Sequence, residues 1–147
     1  MFPDSKNRAD RVAQVNVVCF TRDEKGGIKI LTLKRNEQKG GFWQAVTGGV
    51  HTGEDYLAAA RREAAEETGI SDCKVFETPL SYSFMGDDGY ELTEYVFGCE
   101  IKDPSLVKLS GEHTAFEWLS PEEAKNRMKY EDNKTAVDAV CKKIGEG

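Results

Sequence analysis

Three glutamates lie close together in the segment RREAAEETGI, residues 61 to 70. Glu63, Glu66 and Glu67 are spaced three and four positions apart, so on a helix their side chains share one face. Like charges at these spacings repel, and Gly69 is typical of a helix end, where the helix dipole is also negative. A hard divalent cation would offset these unfavourable interactions, because Mg²⁺ and Mn²⁺ prefer clustered carboxylate oxygens. A metal site is therefore one interpretation of this spacing.

The same pattern also fits an ordinary charged helix face in contact with water. Arg62 is placed to pair with Glu66 one turn later, and an exposed pair of this kind contributes little to stability. The charge pattern alone leaves both interpretations open. The flanking residues favour the metal site, because Gly48, Gly49 and Glu54 precede the cluster and Gly69 closes it.

The helix that must carry the glutamates is the clearest element in the sequence. Residue types predict a helix from Thr52 to Thr68, with Thr52 as its N-cap. Tyr56, Ala60 and Ala64 fall on one stripe, which predicts a face that packs on the rest of the domain. Strands are predicted before the helix at VAQVNVVCF, IKILTLKR and FWQAVTGGV, and after it at KVFETPLSYSF, YELTEYVFGCEI and HTAFEWL.

Turn and cap signals complete this organisation. MGDDG between two of the later strands predicts a hairpin turn. Ser120, Pro121 and Glu123 form a capping-box pattern that predicts a helix start, and NKTAVDAVCKKI predicts an amphipathic final helix. Together these elements predict an α+β fold with a largely antiparallel or mixed sheet, in a single domain over residues 1–147. Residues 1–10 are expected to be a loosely ordered polar lead.

Composition narrows the class of protein. The chain has 147 residues, a formal net charge of −6 and 31% charged residues. This balance suits a globular domain and argues against a protein whose main partner is a nucleic-acid backbone. We find no signal peptide and no apolar run of roughly 20 residues that could cross a bilayer. A cytoplasmic location, with buried and reduced cysteines and no membrane partner, is the resulting expectation.

The segment that contains the glutamates resembles the signature of the Nudix hydrolases. That signature is a glycine, five residues, a glutamate, seven residues, and then Arg-Glu-apolar-any-Glu-Glu-any-Gly-apolar. Every fixed position is filled here, by Gly48, Glu54, Arg62, Glu63, Glu66, Glu67, Gly69 and Ile70, with Ala64 as the first apolar residue. The order of elements outside the signature also resembles the family's α/β/α sandwich with a mixed central sheet.

The resemblance implies a role for each signature residue. The divalent cation, Mg²⁺ or in its place Mn²⁺, would be bound by Glu63, Glu66 and Glu67 with help from the Gly48 carbonyl. Glu54 would brace the loop before the helix, Arg62 would orient the glutamates, and Gly69 would end the helix. The implied reaction is hydrolysis of a nucleoside diphosphate linked to a further group X. Glu66 and Glu112 are the alternative general bases, and Glu112 is also a candidate metal ligand.

A looser similarity covers most of the chain. FWQAVTGGV, EHTAFEWLSPEEA and EDNKTAVD resemble the dihydroneopterin triphosphate and deoxynucleoside triphosphate pyrophosphohydrolase branch. This similarity and the positions of basic and aromatic residues give the expected substrate contacts: Lys34, Arg35, Phe42, Thr47 and Asn133. For Lys34 a solvated strand end is an equal alternative, and for Trp43 ordinary core packing is the favoured one.

The expected activity is metal-dependent cleavage of a nucleoside or pterin triphosphate to a monophosphate and pyrophosphate. The alternatives within enzymes are hydrolysis of dinucleoside polyphosphates, nucleotide sugars or the pyrophosphate at an RNA 5′ end. A non-catalytic nucleotide-binding regulatory domain is an alternative of a different class, although the chain retains every glutamate of the signature. A homodimer is compatible with the sequence, which contains no feature that requires one.

Overall fold

The computed structural model describes residues 13–85 and 89–145, and within them one sheet contains seven strands. The strands are β1 (Ala13–Arg22), β2 (Ile28–Arg35), β3 (Trp43–Gln44), β4 (Val46–Val50), β5 (Lys74–Met85), β6 (Glu91–Glu100) and β7 (His113–Leu119). The α-helices of the described residues are α1 (Tyr56–Thr68), α2 (Pro121–Arg127) and α3 (Glu131–Lys143). The predicted lead at residues 1–10 and the centre of the predicted MGDDG turn, residues 86–88, lie outside the described residues.

Strand β1 is the centre of the sheet. It pairs antiparallel with β2 near Arg22 and with β4 near its beginning, and it runs parallel to β6. Strands β3 and β7 pair with β2, and β5 pairs with β6, all antiparallel. Almost every residue of β1 is buried, as expected for a β-branched strand covered on both faces. The prediction of a mixed sheet is confirmed.

Alternate residues of β1 belong to two separate hydrophobic clusters. Val15, Val17 and Cys19 face the cluster that contains the alanines of α1. Val18 and Phe20 face the opposite cluster, which is closed by buried residues of α2 and α3. Since side chains alternate along a strand, the sheet is covered on both sides and the domain is an α/β/α sandwich, as predicted.

The predicted start of the glutamate helix is wrong. Helix α1 begins at Tyr56, and its N-cap is Asp55, whose side chain accepts a hydrogen bond from the Ala58 N–H at 3.3 Å. Thr52 lies instead in a turn, which the Glu54 N–H closes on the His51 carbonyl at 2.9 Å. This turn holds residues 51–54 outside the helix.

The other element boundaries follow the predictions more closely. Gly69 ends α1 with a φ of 75°, a left-handed conformation that suits glycine. The capping box between Ser120 and Glu123 is present at the start of α2. The single strand predicted at FWQAVTGGV is two strands, β3 and β4, which pair with different neighbours. Of the helices described here, none has the length and apolar character needed to cross a membrane.

Candidate active site

Arg62 ties the glutamate helix to the turn before it and to strand β4. Its Nε and Nη2 donate to the two carboxylate oxygens of Glu54 at 2.8 and 3.0 Å, and Nη2 also donates to the Gly49 carbonyl at 2.8 Å. A two-point guanidinium–carboxylate contact fixes direction as well as distance. The hydrogen bonds from Arg62 hold the pKa of Glu54 at about 2. The turn that contains Glu54 is therefore joined to the helix through Arg62.

Glu63 lies directly against the backbone of Gly48. A Cβ placed on Gly48 would be 2.0 Å from the Glu63 carboxyl carbon, so no larger residue fits without moving this side chain. Arg62 Nη1 donates to Glu63 Oε2 at 2.7 Å. Burial raises the pKa of Glu63 to about 7, Arg62 opposes that rise, and the neighbouring Glu66 and Glu67 add to it. The side chain is thus confined beside the strand that precedes the helix.

Glu66 remains at the solvent side of the cluster. Its carboxylate lies 3.4 Å from Arg62 Nη1, one helical turn away, and its side chain is 57% exposed. The interaction is a weak charged contact of the kind found on helix surfaces. Glu66 is consequently free to turn toward a ligand at small cost.

Glu67 is buried and anchored by the loop before β7. Ser110 Oγ donates to Glu67 Oε1 at 2.6 Å, and His113 Nδ1 lies 2.8 Å from the same oxygen. Burial raises the pKa of Glu67, but hydrogen bonds from His113 and Ser110 outweigh that effect and lower it below its usual value. The N–H of exposed Glu112 donates to Ser110 Oγ at 3.3 Å, so Glu112 lies next to the hydroxyl that bonds Glu67.

Ser110 and His113 were not predicted as members of the site. The Nε2 atom of buried His113 also lies 3.4 Å from the Gln44 side-chain nitrogen, so the group extends to β3. These contacts join residues 43 to 69 positions apart in the chain. Hydrophobic periodicity, which relates residues a few positions apart, does not predict such contacts. The only local signal was that Ser110 and His113 flank Glu112.

The donor set fits a hard divalent cation. Glu63, Glu66, Glu67 and Glu112 bring carboxylate oxygens to one end of α1, and Gly48 brings the β4 backbone beside them. Within residues 13–85 and 89–145, no three acidic, histidine or cysteine side chains already converge as a finished coordination shell. Arg62 and Ser110 hold Glu63 and Glu67 in other hydrogen bonds, so binding a cation would require these contacts to rearrange.

The predicted substrate contacts fall near the start of α3. The Arg35 guanidinium carbon lies 5.9 Å from the centre of the Phe42 ring, and the ring packs edge-on against Tyr130 at 5.2 Å. Lys129 Nζ lies 5.2 Å from the Phe42 ring centre. Lys129 and Tyr130 were not predicted. In the described part of the chain, the buried Nε of Arg35 has no hydrogen-bond partner, which leaves a guanidinium donor available.

The remaining predicted contacts are positioned by two other elements. Thr47 lies opposite Asn16 in the pairing of β4 with β1, and Asn133 Oδ1 accepts a hydrogen bond from Asn16 Nδ2 at 3.2 Å. The Asn133 N–H bonds the Tyr130 carbonyl at 3.1 Å, which places Asn133 next to the aromatic pair. Lys34 pairs with Trp43 in the sheet and stands one residue before Arg35. Trp43 is half-buried, with the Arg127 guanidinium 4.7 Å from its ring centre.

The chain is similar in sequence to known proteins. The family model described as NUDIX domain matches residues 12–140. A dihydroneopterin triphosphate diphosphatase of Haemophilus influenzae is 30% identical over 136 residues, which is 84% of this chain and 83% of that protein. An RNA pyrophosphohydrolase of Pelagibacter ubique is 40% identical over 63 residues, 43% of this chain and 37% of that protein.

Solved structures share the fold. The structure of the Escherichia coli dihydroneopterin triphosphate pyrophosphohydrolase superposes with a TM-score of 0.76 at 26% identity, covering 89% of this chain and 97% of that one. The chain spans only 31% and 37% of the length of the first two curated relatives that it matches.

Proposed function

The chain belongs to the NUDIX domain family, and from this premise we propose that it is a divalent-metal-dependent pyrophosphohydrolase. The proposed reaction cleaves a nucleoside or pterin triphosphate to the monophosphate and pyrophosphate. One observation carries the proposal: Arg62, Gly48 and Ser110 fix buried Glu63 and Glu67 at the same end of α1. A helix that served only as a charged surface would not need two of its glutamates buried.

We propose that Glu63, Glu66 and Glu67 hold the cation, with the Gly48 carbonyl and Glu112 as further ligands. A bound Mg²⁺ or Mn²⁺ would neutralise phosphate charge and lower the pKa of a coordinated water. Arg62 keeps the helix and the β4 backbone in register, because it bonds both Glu54 and the Gly49 carbonyl. It is a positioning residue and does not itself touch the reacting atoms.

The general base is one of two exposed carboxylates. Glu66 and Glu112 are the side chains of the cluster that solvent reaches most easily, whereas Glu67 is buried under Ser110 and His113. Either carboxylate would take the proton of the attacking water on a carboxylate oxygen. Comparing Glu66→Gln with Glu112→Gln separates them, since loss of the base lowers kcat by about a hundredfold or more.

The phosphate chain would extend toward Arg35. Its guanidinium has an unpaired buried donor in the described residues, and Lys129 adds a second positive charge beside Phe42. Guanidinium groups bind phosphate oxygens in two-point contacts. The base or pterin ring would then lie near Phe42, Thr47 and Asn133. Similarity to the dihydroneopterin triphosphate diphosphatase of H. influenzae, over most of both chains, supports a triphosphate of this size.

A substrate panel tests the proposal. The protein is incubated with Mg²⁺ and dihydroneopterin triphosphate, the common nucleoside triphosphates, diadenosine tetraphosphate, ADP-ribose or a 5′-triphosphate RNA, and the products are identified. Pyrophosphate and a monophosphate from one triphosphate would support the proposed reaction. Selective cleavage of the RNA or the dinucleotide would favour those alternatives, and the net charge of −6 weighs against the RNA. Tight binding without turnover of any compound would indicate a regulatory domain.

A further inference from the structure

A buried group of polar side chains lies on the sheet face opposite α1. We call it the amide–carboxylate cluster, and its members are Gln14, Asn16, Tyr82, Glu94 and Asn133. Glu94, Asn16 and Asn133 are 5%, 1% and 6% exposed, respectively, although each carries a polar head group. Burying such groups is costly unless they are hydrogen-bonded or are used to bind something.

Most hydrogen bonds of the cluster converge on Glu94. Its Oε1 accepts from the Tyr82 hydroxyl and from Asn16 Nδ2, the latter at 3.2 Å, and its Oε2 accepts from the Gln14 amide. Each carboxylate oxygen can accept about two hydrogen bonds. Counting only partners among the described residues, Oε1 is therefore filled, whereas Oε2 has one acceptor position to spare. No lysine, arginine or histidine among residues 13–85 and 89–145 forms an ion pair with Glu94.

Asn16 supplies a second unused acceptor. Its Nδ2 is within 3.2 Å of Glu94, Tyr82 and Asn133, which fixes the amide orientation. Its Oδ1 is buried and has no hydrogen-bond partner in the part of the chain that the structure describes. Two spare acceptors thus come together on neighbouring side chains, since Glu94 and Asn16 are directly bonded. Such a pair suits a ligand with two adjacent N–H donors.

The charge of the site excludes a phosphate as that ligand. Burial raises the pKa of Glu94, hydrogen bonds from Tyr82, Asn16 and Gln14 oppose the rise, and the nearby Asp132 adds to it. Acceptor oxygens and a neighbouring carboxylate repel a phosphate group, whose charge is also negative. The cluster suits an uncharged ring that donates hydrogen bonds.

The cluster is positioned so that one bound molecule could contact both the cluster and the glutamate helix. Asn16 lies opposite Thr47 in the sheet, and the next residue, Gly48, touches Glu63 on the other face. Adjacent residues of a strand are about 3.3 Å apart. Gln14 and Tyr82, at the border of the cluster, are half-buried, so the cluster adjoins solvent. A molecule with phosphates at α1 could therefore place its ring at the cluster.

We propose that Glu94 and Asn16 read the 2-amino-4-oxopyrimidine edge shared by guanine and pterin rings. This edge presents a ring N–H next to an exocyclic amino group, a pair of adjacent donors that suits the two spare acceptors. Adenine presents a ring acceptor beside its amino group, and hypoxanthine lacks the amino group. The Asn133 amide then supplies a donor for the ring carbonyl. The inference rests on the proposed function and specifies the substrate class within it.

The test compares GTP, dihydroneopterin triphosphate, ITP and ATP as substrates with Mg²⁺. Hydrogen bonds to a charged group justify expecting kcat/KM for GTP or the pterin to exceed that for ITP by about tenfold or more. In Glu94→Gln the ratio of kcat/KM for GTP to kcat/KM for ITP should fall toward one, mainly because the KM for GTP rises. Glu77→Gln, an exposed glutamate on β5, is the matched control and should keep the wild-type ratio. The relative hydrolysis rates of GTP and dihydroneopterin triphosphate show whether the preferred ring is guanine or pterin.

Binding without catalysis keeps the inference separate from the proposed reaction. Calorimetric titration of the wild-type protein with GMP and with IMP requires neither turnover nor a variant that folds. Tighter binding of GMP, by about tenfold, would support the inference even if no triphosphate were cleaved. Equal binding of GMP and IMP, no binding of GMP, or an unchanged GTP-to-ITP ratio in Glu94→Gln would overturn it. Cleavage of all four triphosphates at equal rates would overturn it while supporting the proposed reaction.

Discussion

Arg62 and Glu54 show how a single side-chain pair can hold a site together. The two-point contact brings the turn at residues 51–54 onto the second turn of α1 and keeps the pKa of Glu54 at about 2. A carboxyl whose pKa is lowered by folding stabilises the native state above its unfolded pKa of about 4.3. That contribution is lost as pH falls through the folded-state value.

We expect Glu54→Gln to destabilise the protein by about 1 kcal/mol at pH 7, since solvent screens part of the interaction. The difference from wild type should shrink as the pH is lowered from about 4.3 toward the folded-state pKa of about 2. Urea denaturation at a series of pH values measures it. Glu122→Gln is the control, because the Glu122 side chain is 74% exposed and should show no such trend. A Glu54→Gln effect that does not change with pH would contradict the explanation.

Glu67 allows a direct test of the proposed chemistry. Glu67→Gln should lower pyrophosphohydrolase turnover by about a hundredfold or more, because the amide cannot serve as an anionic ligand or base. The fold should survive, since the glutamine oxygen can still accept the hydrogen bond from Ser110. Steady-state kinetics and circular dichroism measure the two effects. Wild-type rates in this variant would remove Glu67 from the mechanism.

At the scale of elements, the contact between β4 and α1 depends on the absence of a side chain at Gly48. We expect Gly48→Ala to lower kcat by about tenfold to a hundredfold, because its Cβ would displace the Glu63 carboxylate. Stability should change little, since Gly48 does not have a positive φ and Glu63 can rotate away. Gly111→Ala is the matched control: it lies in the loop beside Glu112 and has no heavy atom within 4 Å of the new Cβ. Equal losses of activity in both variants would contradict the proposed clash.

The helix boundaries show which features the local sequence determines. The helix end at Gly69 and the capping box at Ser120 depend on residues within a few positions, and both were predicted correctly. The start of α1 was not, because the turn before it is stabilised by Arg62, eight residues after Glu54. Ser110 and His113 were missed for a related reason, since only the folded sheet brings them to Glu67. Signature spacing thus predicts the acidic residues of the candidate site, whereas tertiary contacts determine their partners.

For the whole molecule, the sheet separates two kinds of polar group. Carboxylates that suit a cation collect beneath α1, and the amide–carboxylate cluster lies on the opposite face beside α3. Strand β4 connects them, because Thr47 and Gly48 are adjacent but face opposite sides. Substitutions of the carboxylates beneath α1 should therefore lower mainly kcat. Substitutions in the amide–carboxylate cluster should change KM and the preference for one nucleobase over another.

Binding of a cation should also be visible in the stability of the entire domain. The net charge is −6, and Glu63 and Glu67 are buried carboxylates, so a divalent ion that binds only the folded state should raise Tm as its concentration rises. At a hundred times its Kd the expected stabilisation is about 2.7 kcal/mol. Thermal unfolding in MgCl₂ or MnCl₂ measures the shift, and NaCl at equal ionic strength is the control for general screening. The shift should be lost when Glu63 and Glu67 are both changed to Gln. An equal rise in NaCl, or a rise that persists in the double variant, would mean that the cation does not bind at the end of α1.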